Sequence, residues 1–306
     1  MYKKFYGLRE NPFNVTPDPR FLYLTEHIQE ALACLHYGIE NRKGFILLSG
    51  EVGTGKTTLL QKLLESLRQQ GVATAFVFNP RLSTVQFFDY MLGDFGLPTE
   101  PRVKSQMLLR LNHWLLERYR AGGTTVLIID EAQNLSLEVL EEVRLLTNLE
   151  TSSEKLLQIV LSGQPELERK LTLPQVRQLR QRITLRSKTY PLGAEETHHY
   201  VEERLRVAGW DGRPIFTPEA LDTIHRYASG IPRVINLLCE HALISGFADQ
   251  ESPIGPGTIV ELAKEFELDI IGPTAPPQGD THRERYGQKL AVNESGPLAT
   301  RLRRSN

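Results

Sequence analysis

Cysteine is almost missing: two residues among 306, Cys34 and Cys239. They stand far apart in apolar helical patterns and form no CxxC pair. That leaves disulfide and zinc readings weak, and two buried thiols in a reducing compartment are the expectation. Long apolar runs are missing too. The strongest, FILLSG and TVLIID, fall well short of the ~20 residues that span a bilayer. The opening MYKKFYGLRENPF carries charges with no apolar stretch behind them, so it does not read as a secretory signal. The expectation is a cytoplasmic protein that meets an inner membrane only when partners recruit it. Excess charge of one sign is also lacking, with a formal net charge of -1. A protein that lives wrapped around nucleic acid is usually basic, so the balance weighs against that class.

What is present suits a soluble protein with a real core. Hydrophobic residues make up 40% and charged residues 24% of the chain, ordinary proportions for a globular fold. Residues 1–22 are rich in aromatics, prolines and turn formers and read as an ordered strap. From Thr25, a suitable N-cap, Ile28, Ala31, Leu32, Leu35 and Ile39 recur at helical spacing. Short apolar runs then alternate with amphipathic stretches: GFILLSG, VATAFVFN, TTVLIID and LLQIVLSG as strands, with helices between them. That alternation predicts an α/β fold built on a parallel sheet. After YPLG the strands stop and four helical patterns follow. The expected divisions are a strap and helix over 1–40 packing on the core, a nucleotide-binding α/β domain over 41–192, a helical lid over 193–270, and a polar, disordered tail over 271–306.

GEVGTGKT fits G-x-x-x-x-G-K-[ST], the P-loop or Walker A pattern, and sits where the mechanism needs it, after a strand and opening a helix. Gly50, Glu51, Val52, Gly53, Thr54, Gly55, Lys56, Thr57 and Thr58 are therefore the expected phosphate cradle. Small residues let backbone N–H groups wrap the phosphates, and the helix N-terminus adds partial positive charge. Lys56 is expected to reach the β- and γ-phosphates of ATP, and Thr57 to ligate Mg²⁺. Asp130 ends the strand TVLIID, where a carboxylate can hold the metal's water shell. Glu131 beside it can polarise an attacking water, as in the Walker B arrangement. Two successive acids favour hydrolysis over mere binding. IVLSGQP ends the next strand; Gln164 is the expected sensor of the γ-phosphate or water, with Ser162 as fallback and a plain turn residue as the alternative. Arg233, held by Gly230 and Pro232 at a helix start, can reach back to the nucleotide. On spacing alone it reads better as a surface helix arginine.

The motif order resembles the AAA+ ATPases of the ExeA, or general secretion pathway protein A, group, including forms from PEP-CTERM/exosortase loci. The resemblance covers about residues 1–268 and rests on FYGLRENPFNVTPDPRFLYLTEHIQEAL, GEVGTGKTTL, LIIDEAQNL, EVRLLTNLET, LLQIVLSGQPEL and SGIPRVINLLCEHAL. It implies a P-loop NTPase of the AAA+ type: a RecA-like parallel sheet with helices on both faces, followed by a small α-helical lid. It also implies sensor roles for Gln164 and Arg233, and a strap around Asn11, Pro12 and Phe13 lying near the adenine, unless NPF is simply structural. Longer members of that group carry a membrane span and a peptidoglycan-binding domain after the ATPase. This chain shows neither, so their cell-wall role is not carried over.

The stretch LRQRITLRSK, residues 179–188, holds four cations and no acid. AAA+ proteins usually work as oligomers, and a neighbouring subunit can supply an arginine to the γ-phosphate. The resemblance implies that this stretch supplies it, with Arg182 first and Arg180 second. A solvated basic face and a DNA contact stay open beside it. The function expected is hydrolysis of ATP to ADP and phosphate by a homo-oligomer, driving or regulating assembly or export of a cell-envelope secretion system. The alternative is an ATP-dependent DNA-binding regulator of the transposition (Mu B/TniB) type.

Overall fold

The computed structural model describes residues 2–78 and 81–270. The tail expected over 271–306 lies outside the described residues. The chain opens with helix α1 (Tyr2–Phe5), runs as an irregular strap with one 3-10 turn (Pro19–Phe21), and enters helix α2 (Glu26–Glu40). Thr25 caps α2 as expected, its side chain accepting from the Ile28 N–H at 3.2 Å. The first strand, β1 (Phe45–Gly50), feeds helix α3 (Lys56–Gln69). There follow β2 (Ala73–Val77), α4 (Thr84–Asp94), α5 (Lys104–Arg120), β3 (Thr125–Ile129), α6 (Leu137–Leu146) and β4 (Gln158–Gly163). Two short helices, α7 (Pro165–Leu171) and α8 (Arg177–Arg182), lead to β5 (Leu185–Thr189).

The five strands form one parallel sheet in the order β2-β3-β4-β1-β5. Alternation along the strands explains how both faces are covered. Phe45, Leu47, Leu127, Ile129, Ile159 and Leu161 point into the core under α4 to α8. Ile46, Leu48, Val126, Ile128 and Val160 point the other way, onto α2 and α3. Helix α3 drives its buried side, Leu59, Leu60, Leu63, Leu64 and Leu67, into that second face. Each such leucine contributes about 1.5–3 kcal/mol by leaving water.

Helices α9 (Ala194–Val207), α10 (Pro218–Ala228), α11 (Pro232–Ala248) and α12 (Pro256–Glu265) follow. They share a separate apolar cluster that includes Val201, Leu205, Ile224, Ile235, Leu238 and Ile259. The strap divides between two cores. Tyr6, Leu8, Phe13 and Phe21 belong to this helical cluster, while Leu22 packs with α2 on the sheet side. Aromatic side chains in the strap find their apolar partners in the helical cluster. The described residues up to Ile270 make one compact unit, and the division expected after residue 192 falls inside it. Among the described residues no helix is long and apolar enough to cross a membrane.

The sequence reading also missed β5. Four of the five residues of its LRSKT are polar, which disguised an edge strand, yet Leu185 and Thr189 are buried, and the strand keeps register with β1.

Candidate active site

The central strand β1 ends at Gly50, and the loop that follows turns directly into α3. Lys56, at the first turn of α3, is 5% exposed. Its ammonium donates to the carbonyls of Gly50 and Glu51, both at 2.8 Å. Burial pushes the Lys56 pKa down, while Glu131, Asp130 and Glu51 pull against that shift. Thr54 is buried, donating to the Glu51 carbonyl at 2.8 Å and sharing a 2.7 Å hydrogen bond with Thr189 of β5. The loop is thus fastened to the edge strand. Val52 to Thr58 line a cavity of about 330 Å³. Gly50 and Glu51 contribute backbone carbonyls, and the Glu51 side chain is exposed.

The tips of β3 and β4 bring the polar groups together. Asp130 is 3% exposed, and both of its oxygens are engaged. Oδ2 accepts from Thr57 Oγ1 at 2.7 Å, and Oδ1 accepts from Ser162 Oγ at 2.7 Å and from the Glu131 N–H at 3.0 Å. Glu131 sits in the left-handed region, φ 53°, at the start of a 3-10 turn. Its Oε2 accepts from Gln164 Nε2 at 3.1 Å and from Gln133 Nε2 at 2.6 Å. Gln133 also accepts from the Gln164 backbone N–H at 3.2 Å. Lys170 of α7 donates to the carbonyls of Gln133, at 2.9 Å, and Leu135, fixing the turn that carries both residues. Sequence reasoning missed Gln133 and Lys170. The only signal for Gln133 was an amide two residues after Glu131, and nothing linear pointed to Lys170.

The start of α11 lies against the loop. The Arg233 N–H donates to the Gly53 carbonyl at 3.2 Å. Gly53 has φ 80°, and a Cβ there would stand 2.8 Å from Arg233 Cβ, so glycine permits this approach. Arg233 is exposed and lines the same cavity as Lys56, Thr57 and Glu131.

Two expectations need correcting. Asn11, Pro12 and Phe13 do not line the cavity. Phe13 is fully buried edge-on against Phe216, and the strap residues on the cavity wall are Asn14 to Asp18 and Phe21 to Tyr23. The preference for Arg182 over Arg180 also weakens. Arg182 is half-buried, and its Nη1 donates to Thr147 Oγ1 of its own chain at 2.9 Å. Arg180 is exposed and forms no ion pair among the described residues.

Thr57 and Asp130 offer a hydroxyl and a carboxylate side by side. These hard oxygens suit Mg²⁺, which takes one or two protein ligands and fills the rest with water and phosphate. Among the described residues no cluster of three or more His, Cys, Asp or Glu forms a dedicated metal cage.

Residues 39–171 match the family model described as AAA domain. General secretion pathway protein A of Aeromonas hydrophila is 47% identical over 266 residues, covering 87% of this chain and 48% of that relative. This chain therefore spans about half of the relative's length. Among solved structures, the Aeropyrum pernix ORC2 protein superposes with a TM-score of 0.62 at 18% identity, over 84% of this chain and 71% of that one. Drosophila ORC bound to DNA gives 0.62 at 20% identity, over 92% and 70%. The Thermotoga maritima RuvB Holliday junction branch migration motor gives 0.56 at 16%, over 90% and 78%. At these identities the structural likenesses speak to the fold alone.

Proposed function

The chain is an AAA-domain protein of the P-loop fold, related over most of its length to General secretion pathway protein A; from this we propose that it hydrolyses ATP to ADP and phosphate. One observation carries the reading. Lys56, Thr57, Glu131 and Arg233, from two strand–helix junctions and one lid helix, face a single cavity. Bound with the nucleotide, Mg²⁺ would neutralise charge on the β- and γ-phosphates. Thr57 and Asp130 would hold it.

The remaining work falls to this chain's side chains. Backbone N–H groups of Val52 to Thr58 cradle the phosphates, and Lys56 leaves its loop carbonyls for the β- and γ-oxygens. Glu131 accepts a hydrogen bond from water and takes its proton as the water oxygen bonds to the γ-phosphorus. The bond from that phosphorus to the β–γ bridging oxygen breaks, and ADP leaves with the electron pair. Gln164 and Gln133 hold Glu131 while this happens. Arg233 reports the γ-phosphate to the lid, which ties turnover to the lid angle.

We read the protein as a homo-oligomer in which an arginine from a second copy completes the site. Arg180, exposed and without an ion-pair partner among the described residues, takes precedence over Arg182 for that role. The relationship to General secretion pathway protein A supports a cell-envelope secretion system as the process driven or regulated. A second reading, ATP-dependent binding to DNA, draws on Arg177, Arg180 and Arg186. All three are exposed and unpaired with acids among the described residues.

The test measures ATPase rate per subunit against protein concentration, with and without double-stranded DNA. The expected result is a rate that rises with concentration and is lost in Arg180→Ala, which still binds ATP. Mixing Arg180→Ala with Glu131→Gln restores part of the activity, since each supplies what the other lacks. A flat rate, untouched by Arg180→Ala, overturns the shared site. Severalfold stimulation by DNA that fades with salt moves the DNA reading ahead.

A further inference from the structure

The cavity does not end at the phosphate loop. It runs on to a wall made by Phe21, Tyr23, Tyr200, Arg204 and Asn236. Arg204 of α9 is the anomaly there. It is 7% exposed, yet it forms no ion pair among the described residues. A buried cation is ordinarily matched by an acid, because removing it from water is costly. Asp18 feels its charge, but the Asp18 carboxylate is bonded to Arg20 at 2.7 Å.

What Arg204 does have is neutral. Its Nε donates to the Pro12 carbonyl at 2.5 Å, and its Nη1 donates to the Tyr200 hydroxyl at 2.8 Å. Its guanidinium carbon lies 4.7 Å from the Phe21 ring centroid. Tyr200 in turn donates to Asn236 at 2.8 Å. A guanidinium carries five N–H donors in a rigid fork. Those on Nη2 have no partner among the described residues, although the group borders the cavity.

We propose that Arg204 is a specificity residue that donates to an acceptor atom on the nucleoside portion of ATP. The inference rests on the reading of this cavity as an ATP site and adds what holds the end remote from the phosphates. Geometry makes the assignment. With the phosphates at the helix α3 N-terminus, the far end of the same cavity faces the nucleoside, and its one buried cation has donors to spare. Purine ring nitrogens and ribose oxygens are acceptors of the kind such a fork takes. A charged donor bonding a neutral acceptor out of water is selective, because a ligand without the acceptor leaves the cation uncompensated. Arg204 also holds the strap at Pro12 and reaches α11 through Tyr200 and Asn236, one turn beyond Arg233. Nucleoside binding therefore engages the strap and the phosphate-sensing helix at one residue.

The experiment measures Kd for ATP and for inorganic tripolyphosphate, each with Mg²⁺, by calorimetry on the full chain. The Arg204→Met and Arg204→Lys variants are run beside it, with melting curves to verify folding. Tripolyphosphate engages the phosphate loop and has no nucleoside. The expected wild type binds ATP at least about tenfold more tightly than tripolyphosphate. Arg204→Met loses about 10- to 100-fold for ATP, the range for a hydrogen bond to a charged group, and little for tripolyphosphate. Arg204→Lys keeps the buried charge without the fork, loses less but in the same ligand-selective way, and carries the test if the methionine variant does not fold. Equal losses for both ligands would assign Arg204 a structural role and overturn the proposal, as would unchanged ATP affinity. Wild type that binds tripolyphosphate as tightly as ATP overturns this inference alone; wild type that binds neither overturns the ATP reading as well.

Discussion

Gln164 Nε2 stands 3.1 Å from Glu131 Oε2, at the tips of two neighbouring strands. The Gln133 amide reaches the same oxygen from the other side at 2.6 Å. One carboxylate oxygen is therefore pinned by two donors, while the other has no hydrogen-bond partner among the described residues. Glu131 keeps a strained backbone conformation, φ 53°, and strain of that kind persists only where surroundings over-determine it.

Removing either amide should release Glu131 without touching the phosphate loop. Gln133→Leu and Gln164→Leu are each expected to lower kcat by about 10- to 100-fold, the usual size for groups that orient a reacting side chain. ATP affinity should stay near that of wild type. Because both amides serve one oxygen, the double variant should cost less than the product of the two. Steady-state kinetics with separate measurement of ATP binding decide it.

The joint between α10 and α11 depends on Gly230. Its φ is 71°, and a Cβ there would stand 1.9 Å from the Leu192 carbonyl oxygen. The same residue ties back to the segment before α9, its carbonyl accepting from the Leu192 N–H at 2.8 Å. Gly230→Ala should cost about 2–4 kcal/mol of stability by thermal or urea unfolding. By displacing the start of α11 it should also weaken discrimination between ATP and ADP.

His36 of α2 gives a pH signature. Its Nδ1 is buried without a hydrogen-bond partner among the described residues, and burial pulls its pKa below the ordinary 6.5, with Glu40 pulling the other way. The folded state thus keeps this ring neutral, while the unfolded chain takes up a proton once pH falls below about 6.5. Its effect on stability is absent above that value and destabilising below it, growing until pH reaches the depressed folded value. Melting temperature should fall between pH 7 and pH 5 more steeply in wild type than in His36→Leu. Parallel curves would contradict this.

Much of the fold was legible because its signals are local. Four of the strands are nearly continuous apolar runs, which is how a sheet covered on both faces must read. The phosphate loop was legible because glycine, lysine and threonine at fixed offsets between a strand and a helix satisfy one mechanism. What escaped is non-local. The β5 strand hides among cations because an edge strand is only half-enclosed, and charged residues protect such an edge. For Phe13 the resemblance left a place near the nucleotide and a purely structural role both open, and its burial against Phe216, more than 200 residues away, is invisible in a linear pattern. Gln133, Lys170 and Arg204 escaped for the same reason, since each acquires its meaning from a partner on another element.

Phosphate release under single-turnover conditions, with ATP binding measured in parallel, tests ATP hydrolysis at this site most directly, for wild type, Lys56→Ala and Glu131→Gln. Wild type is expected to bind ATP and release phosphate. Glu131→Gln should bind ATP as wild type does and release phosphate about 100- to 10,000-fold more slowly, the span for loss of a general base. Lys56→Ala should fail to hold ATP. A wild type that binds ATP but releases no phosphate, or a Glu131→Gln variant that turns over at the wild-type rate, would contradict it.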